Sequence, residues 1–199
     1  MIDADPYPWP YDGVVDASRL AVVVAGAQRA WVDRSVGTAP VTAAIAAVTG
    51  AARTAGATVV HLRHAAPVVR RCALPPHRSE EGWALATAPA PGDLVVDAGG
   101  VDGFAGGPLD DVLRSRGTTH LVLAGYGAEA AVDSTLRSAN DRGYECLVLT
   151  DAVAPFSVEL GAHALSSVTM SGGIFGALAP SAALLDALAS SRPLALEVP

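Results

Sequence analysis

Few side chains in this sequence could act as nucleophiles, and the two thiols are the first to consider. Cys72 and Cys146 have neither the number for a disulfide framework nor the spacing of a zinc site. Cys146 lies in an apolar run, where a thiol is an inert small hydrophobic residue. Cys72 follows Arg70 and Arg71, whose positive charges favour a thiolate, so it is either an ordinary loop thiol or an alternative nucleophile.

Basic chemistry is restricted because the sequence contains no lysine: all thirteen basic residues other than histidine are arginine. Any mechanism that needs an ammonium side chain is therefore excluded. The glycine-rich segment 99–107 carries no GxxxxGK[ST] pattern, so it does not form a phosphate-binding loop of that kind.

The remaining candidates are two carboxylates and two histidines. Asp97 ends an apolar run, where it could bind a cationic or hydrogen-bond-donating ligand or pair with an arginine. Glu129 could act with Asp97 as a carboxylate pair. His61 and His64 are three residues apart within or just after a predicted strand, so they would not face the same side. This spacing makes structural histidines the preferred interpretation over a two-histidine metal site, and the sequence predicts neither a metal nor a cofactor.

The stretch 121–137, LVLAGYGAEAAVDSTLR, organises the elements around these residues. It predicts a buried strand over Leu121–Ala124, a glycine turn, and a helix that opens near Glu129. Such a turn lies at the carboxyl end of a strand, where open α/β sheets bind ligands. Tyr126 and Glu129 are the functional groups of the turn. An apolar helix stripe and a solvent-side ion pair follow, formed by Val132, Leu136 and Ala139 and by Asp133 with Arg137.

Strands alternate with helices along the rest of the chain, which predicts a single α/β domain over 1–199 with a mainly parallel sheet. The predicted strands are 20–25, 58–63, 94–96, 121–124, 145–150 and, less regularly, GGIF at 172–175. The predicted helices are 40–55, 108–116, the one after the central turn, 159–170 and 181–189. Residues 64–93 form a long excursion, which in compact domains is often functional.

Residues 1–19 are rich in proline and aromatic residues, so they predict an extended arm rather than a helix or central strand. The arm either docks on its own domain or crosses a subunit interface. The formal net charge of −7 argues against nucleic acid as the main partner. No apolar run reaches transmembrane length and no signal peptide is recognisable, so a cytoplasmic, reducing setting is expected.

Several segments together give the chain a specific resemblance to a known family. YPWPYDG at 7–13, LAVVVAGAQRAWV at 20–32 and the long segment 92–125 resemble the isochorismatase-like cysteine hydrolases, in particular the branch with ureidoacrylate and biuret amidohydrolases. STLRSANDRGYECLVLTDA at 134–152 and MSGGIFG at 170–176 are close matches. The resemblance implies a Rossmann-like three-layer α/β/α fold with about six strands, and members that commonly assemble into oligomers.

The resemblance also implies a chemistry whose side chains are missing here. The family uses an aspartate after the first strand as base, a lysine after the third strand, and a cysteine at the start of the central helix as nucleophile. These positions are Gly26, Asp97 and Ala131. Tyr126 could fill the volume that the missing side chains leave, and the resemblance implies a non-prolyl cis peptide near Tyr126–Gly127. The expected pocket residues are Gln28, Trp31, Asp97, Phe104, Tyr126, Gly127, Ala130 and Ala131.

Two functions from different classes follow. The first is a catalytically degenerate pseudo-hydrolase that binds a small molecule, or that supports an oligomer with itself or with an active paralogue. The second is a hydrolase of amide or ureido substrates that uses other groups, such as Asp97, Glu129 or Cys72.

Overall fold

The computed structural model describes residues 1–66 and 74–190, and these form a six-stranded, entirely parallel sheet between helices. The strand order is β3-β2-β1-β4-β5-β6. The α/β prediction is thus confirmed. The strands are Leu20–Ala25 (β1), Thr58–His64 (β2), Leu94–Ala98 (β3), His120–Tyr126 (β4), Glu145–Ala154 (β5) and Ala177–Ala179 (β6).

Helices cover both faces of the sheet. They are Arg29–Val32 (α1), Thr38–Ala55 (α2), Leu109–Arg114 (α3), Asp133–Asp141 (α4), Val158–Val168 (α5), the short turn Met170–Gly173 (α6) and Ser181–Ser190 (α7), with 3₁₀ turns at Ala17–Arg19 and Glu81–Trp83. Successive strand residues point to opposite faces. On β2, His61 faces a cavity beside α2, whereas Leu62 lies close to Gly103 and to Thr135 of α4. Helices α2 and α4 therefore pack on opposite faces.

The two central strands of the sheet are buried along their whole length. Every residue of β1 and of β4 is buried, as expected for parallel strands that helices cover on both sides. β1 and β4 are direct neighbours, and the chain leaves them toward opposite edges of the sheet. Their carboxyl ends therefore form the topological switch point, where folds of this kind bind ligands.

The last predicted strand and the start of the central helix differ from the structure. The last strand is Ala177–Ala179, not 172–175, because Gly172 and Gly173 adopt φ values of +79° and +90° that extended strands do not contain. The central helix begins as a π-helix over Ala128–Val132 and becomes α-helical at Asp133. The apolar stripe is buried, and Arg137 Nε donates to Asp133 Oδ2 over 2.9 Å, as the sequence predicts.

The N-terminal arm docks on its own domain. Ile2 and Trp9 are buried and pair through their backbones, and Asp5 exchanges backbone hydrogen bonds with Leu178 of β6. The indole of Trp9 meets the ring of His120 edge-on at 5.5 Å between centroids. Of the two interpretations of the arm, docking on its own domain is therefore the one observed within this chain. In the described part of the chain, no helix is long and apolar enough to cross a membrane.

Candidate active site

The end of β1 and the turn after β4 meet directly at the switch point. Gly26 has a φ of +61°, and a Cβ built on it would lie 2.4 Å from the carbonyl oxygen of Tyr126. A side chain of any kind is therefore excluded at Gly26 in this backbone conformation. The peptide between Tyr126 and Gly127 is trans, because the cis bonds of the described residues all precede proline. The expectation of a non-prolyl cis peptide in this turn was wrong.

Trp31 occupies the space between these two segments. A Cβ at Gly127 would lie 2.7 Å from Trp31 Cε3, and one at Gly26 would lie 3.3 Å from Trp31 Cγ. The indole is fully buried and lies 5.7 Å from the ring of Phe156, centroid to centroid. The side chain that fills the site is thus Trp31, and not Tyr126, whose ring points toward α2.

Gln28 and His64 line the interior beside Trp31. Gln28 Oε1 accepts a hydrogen bond from the backbone N–H of His64 over 2.6 Å, and the ring of His64 lies 5.5 Å from that of Trp31. His64 Nδ1 donates to the carbonyl oxygen of Gly100 over 3.1 Å. Burial lowers the pKa of His64 to about 4 despite this hydrogen bond, so the ring is neutral at pH 7.

This interior holds hydrogen-bonding capacity that the described residues do not use. Gln28 Nε2 and Trp31 Nε1 are donors, His64 Nε2 is an acceptor in this tautomer, and all three are buried without a partner in the described structure. Each such group costs about 1–3 kcal/mol when it is left unsatisfied. The site is polar inside, yet the described residues place no nucleophile in it.

Ala131 lies in the π-helix and is fully buried. Its neighbour Ala130 is half-buried. Glu129 is engaged structurally, because its carboxylate accepts from the backbone N–H of Phe156 at 2.9 and 3.2 Å and so ties the turn to the loop after β5. The N–H of Gly127 is also taken, by the carbonyl of Ala154 at 2.8 Å.

Asp97 lies at the same edge of the sheet but apart from Gly26. β2 separates β3 from β1, which places their backbones about 10 Å apart. Asp97 Oδ1 accepts from Arg63 Nε over 2.7 Å, and its other oxygen accepts from Arg78. Both guanidinium groups flank Trp83, at 4.8 and 4.9 Å from the ring centroid. Asp97 is thus paired with arginine, the structural alternative, and is not shown as a partner of Glu129.

Two further candidates lie away from the switch point. Phe104 stacks against Tyr144 at 5.9 Å and under Arg142 at 4.7 Å. Cys146 is the second residue of β5, so it lies near the amino ends of the strands, away from the switch point at their carboxyl ends. Burial raises the pKa of its thiol. Cys72 lies outside the described residues. Among residues 1–66 and 74–190, no group of three His, Cys, Asp or Glu side chains could hold a metal ion.

The structure also contains a cavity that sequence reasoning missed. It has a volume of about 310 Å³ and lies between α2, the sheet and the segment 86–90. Arg53, His61 and Asp93 form a hydrogen-bonded cluster at one part of its wall, and Tyr126 and Thr42 form another polar contact there. The one pattern in the sequence that could have indicated this wall is a stripe of α2 residues at helical spacing, Thr42, Ile45, Thr49 and Arg53.

Comparisons with known proteins agree with this architecture. The family model of the Isochorismatase domain matches residues 20–179. Ureidoacrylate amidohydrolase RutB of Methylobacterium radiotolerans is 45% identical over 67 residues, which is 34% of this chain. The chain spans about a quarter (26%) of the length of that curated relative.

Solved structures extend the similarity over most of the chain. A cysteine hydrolase from Pseudomonas syringae pv. phaseolicola has a TM-score of 0.78 at 22% identity and covers 89% of this chain and 96% of its own. An isochorismatase family protein from Burkholderia thailandensis has a TM-score of 0.74 at 27% identity, covering 86% of this chain and 96% of its own. The chain described here belongs to the isochorismatase family.

Proposed function

We propose that this protein is a catalytically degenerate member of its family, which binds a small molecule or supports an oligomer and does not cleave an amide or ureido bond. The observation that carries the proposal is the fully buried methyl group of Ala131 at the position that the resemblance gives to the nucleophile. Loss of a nucleophile alone costs roughly a million-fold in turnover in a well-studied serine triad.

The surroundings of Ala131 support the same conclusion. Gly26 stands where the base is expected and has no room for a side chain. Asp97 stands where a cation is expected, and it is held by two arginines. Trp31 fills the space between the two segments. Among the described residues, a substrate therefore finds neither an attacking group nor space between these two segments.

The alternative function is a hydrolase that uses groups outside the family pattern. Glu129 is occupied by the backbone of Phe156 and Asp97 by arginines, so neither is poised as a base. Cys72 remains the candidate nucleophile of this alternative. Substitution of Cys72 therefore separates the two functions.

The experiment measures ammonia release from ureidoacrylate, biuret and a panel of simple amides. Wild type, Cys72→Ala and the triple variant Gly26→Asp, Asp97→Lys, Ala131→Cys are compared. We expect wild-type turnover at the background rate. Turnover that Cys72→Ala abolishes would support the alternative, and turnover that survives this substitution would show that the pocket has its own chemistry. Either result would overturn the proposal.

The triple variant restores the family's three groups and is the smallest change that could give turnover. We nevertheless expect no more than trace activity, because Asp at position 26 collides with the carbonyl of Tyr126. A misplacement of about 1 Å at a reacting group can cost a hundred-fold in rate. Ala131→Cys alone should stay inactive, because its thiol would be buried and Gly26, at the position expected for the base, has no side chain.

A further inference from the structure

The cavity beside α2 lies on the other side of the sheet from Ala131. Its floor is formed by Val24 of β1 and His61 of β2, which are partners in the parallel register. Its wall is α2, and its cover is the segment 86–90. The volume of about 310 Å³ is at the lower end of the range for small-molecule sites, about 300–1,000 Å³.

The cavity is elongated along α2. Its α2 residues run from Thr42 to Arg53, eleven positions along the helix, which corresponds to about 16 Å at about 1.5 Å per residue. Between these two ends most of the lining is small and apolar, with Val24, Ile45 and several alanines, and the side chains of Thr49 and Thr87 are its polar members. A matching ligand has an apolar middle and polar groups toward its ends.

One end offers a hydrogen-bond acceptor. The hydroxyl of Thr42 donates to the carbonyl oxygen of Thr38 over 2.8 Å, so in its 2.6 Å contact with Tyr126 the tyrosine hydroxyl is the donor. The lone pairs of Tyr126 Oη then remain to accept from a ligand. Tyr126 is 5% exposed, which makes this acceptor a fixed part of the wall.

The other end offers a hydrogen-bond donor beside a buried carboxylate. Arg53 Nε donates to Asp93 Oδ1 over 2.8 Å and Nη2 donates to Thr49 over 3.1 Å, while Nη1 has no hydrogen-bond partner in the described part of the chain. His61 Nε2 donates to Asp93 Oδ2 over 2.9 Å. The side chain of Asp93 is 1% exposed, so its negative charge is poorly screened and balances Arg53.

We propose that this cavity is a binding site for a small, uncharged, elongated molecule with a carbonyl oxygen at one end and a hydroxyl group at the other. The carbonyl accepts from Arg53 Nη1, and the hydroxyl donates to Tyr126 Oη. A carboxylate is disfavoured because it would share the guanidinium with the buried Asp93. This site rests on the proposed function, because it is where the small molecule of that function binds. Its test measures binding and not turnover, so the binding site and the loss of catalysis can fail separately.

The test uses 4-hydroxyphenylacetamide as probe with the full-length protein. Phenylacetamide lacks the hydroxyl, and 4-hydroxyphenylacetate replaces the amide by an anion. Calorimetry and saturation-transfer NMR should show that each analogue binds at least tenfold more weakly than the probe. Tyr126→Phe should weaken binding of the probe but leave phenylacetamide unchanged, which isolates the contact with the hydroxyl.

A blocking variant with a matched control locates the site. Ala46 is exposed on α2 at the rim of the cavity, and Ala47 is exposed on the same helix without lining it. Ala46→Phe should weaken probe binding at least tenfold, whereas Ala47→Phe should bind like wild type. Absence of probe binding at millimolar concentration, equal binding of the carboxylate, or binding that Ala46→Phe leaves intact would each overturn the proposal.

Discussion

At the scale of residues, the candidate site is closed by complementary small and large side chains. Gly26 and Gly127 both have positive φ values. Trp31 packs against both glycines, in the space that a side chain at either position would need. The tryptophan and the two glycines are therefore one unit, and a change in any of them affects the others. No side chain can be placed at Gly26 without moving the backbone of Tyr126.

This packing predicts a large stability loss for Gly26→Ala. The left-handed conformation costs a non-glycine residue about 1–2 kcal/mol, and the 2.4 Å approach to the Tyr126 carbonyl adds strain that a backbone atom cannot relieve cheaply. We expect a loss of about 3 kcal/mol in the free energy of unfolding by urea titration.

The matched control for this substitution is Gly117→Ala. Gly117 has a similar φ of +68°, but a Cβ there meets nothing within 4 Å. It should lose only the conformational part, about 1 kcal/mol. Equal losses in the two variants would show that the site tolerates a side chain at position 26.

The buried ring of His64 predicts a pH dependence of stability. Its pKa in the folded state is about 4, below the ordinary value of 6.5, because burial opposes the charged form. Between these values the unfolded chain binds a proton at His64 and the folded chain does not. Stability therefore falls as the pH falls from about 6.5 to 4, by on the order of 3 kcal/mol for this group.

His64→Asn, whose amide can still donate to Gly100, should flatten that part of the stability curve. The measurement is the free energy of unfolding at pH values from 4 to 7, taken as the difference from wild type. His163→Asn removes an exposed histidine of α5 and serves as the control. A slope that His64→Asn leaves unchanged, or that the control loses equally, would contradict the assignment.

At the scale of elements, the sequence predicted the strands and most helices because buried parallel strands are continuous apolar runs. β5 was predicted to end at Thr150, before Asp151, but it continues to Ala154. Asp151 has a structural role there, because its carboxylate accepts from the N–H and hydroxyl of Ser181, each at 2.7 Å, at the start of α7. A contact over thirty residues is invisible to a local pattern.

The candidate site shows the same limit. Strand order places the ends of β1 and β4 together, so the meeting of Gly26 with the Tyr126 turn follows from topology. Sequence patterns do not show that Trp31 fills the site beside Gly26, five residues earlier in the chain. They also do not show that Arg53 pairs with Asp93, forty residues later. Arg53 and His61 carried no motif, which is why the cavity beside α2 was not predicted.

At the scale of the whole molecule, the surface near the site retains exposed apolar side chains. Val158 and Leu160 at the start of α5 are 78% and 49% exposed, and Val36 is 42% exposed. Val36 and Val158 border an apolar groove of about 450 Å³ between α5 and the start of α2. Contiguous exposed apolar surface of this kind is typical of an interaction site.

We expect this surface to pair with a second copy of the chain, because oligomers of identical subunits are the common case and the N-terminal arm is already committed to its own domain. Light scattering on the purified protein at micromolar concentration should then give a mass greater than the 20.1 kDa of one chain.

Two variants locate the contact. Val158→Glu places a charge in the groove and should yield monomer. Val95→Glu, at a 39% exposed valine of β3 at the far edge of the sheet, should leave the oligomer intact. A wild type that scatters as a monomer, alone and with any paralogue, would contradict this expectation, and loss of association in both variants would place the contact elsewhere.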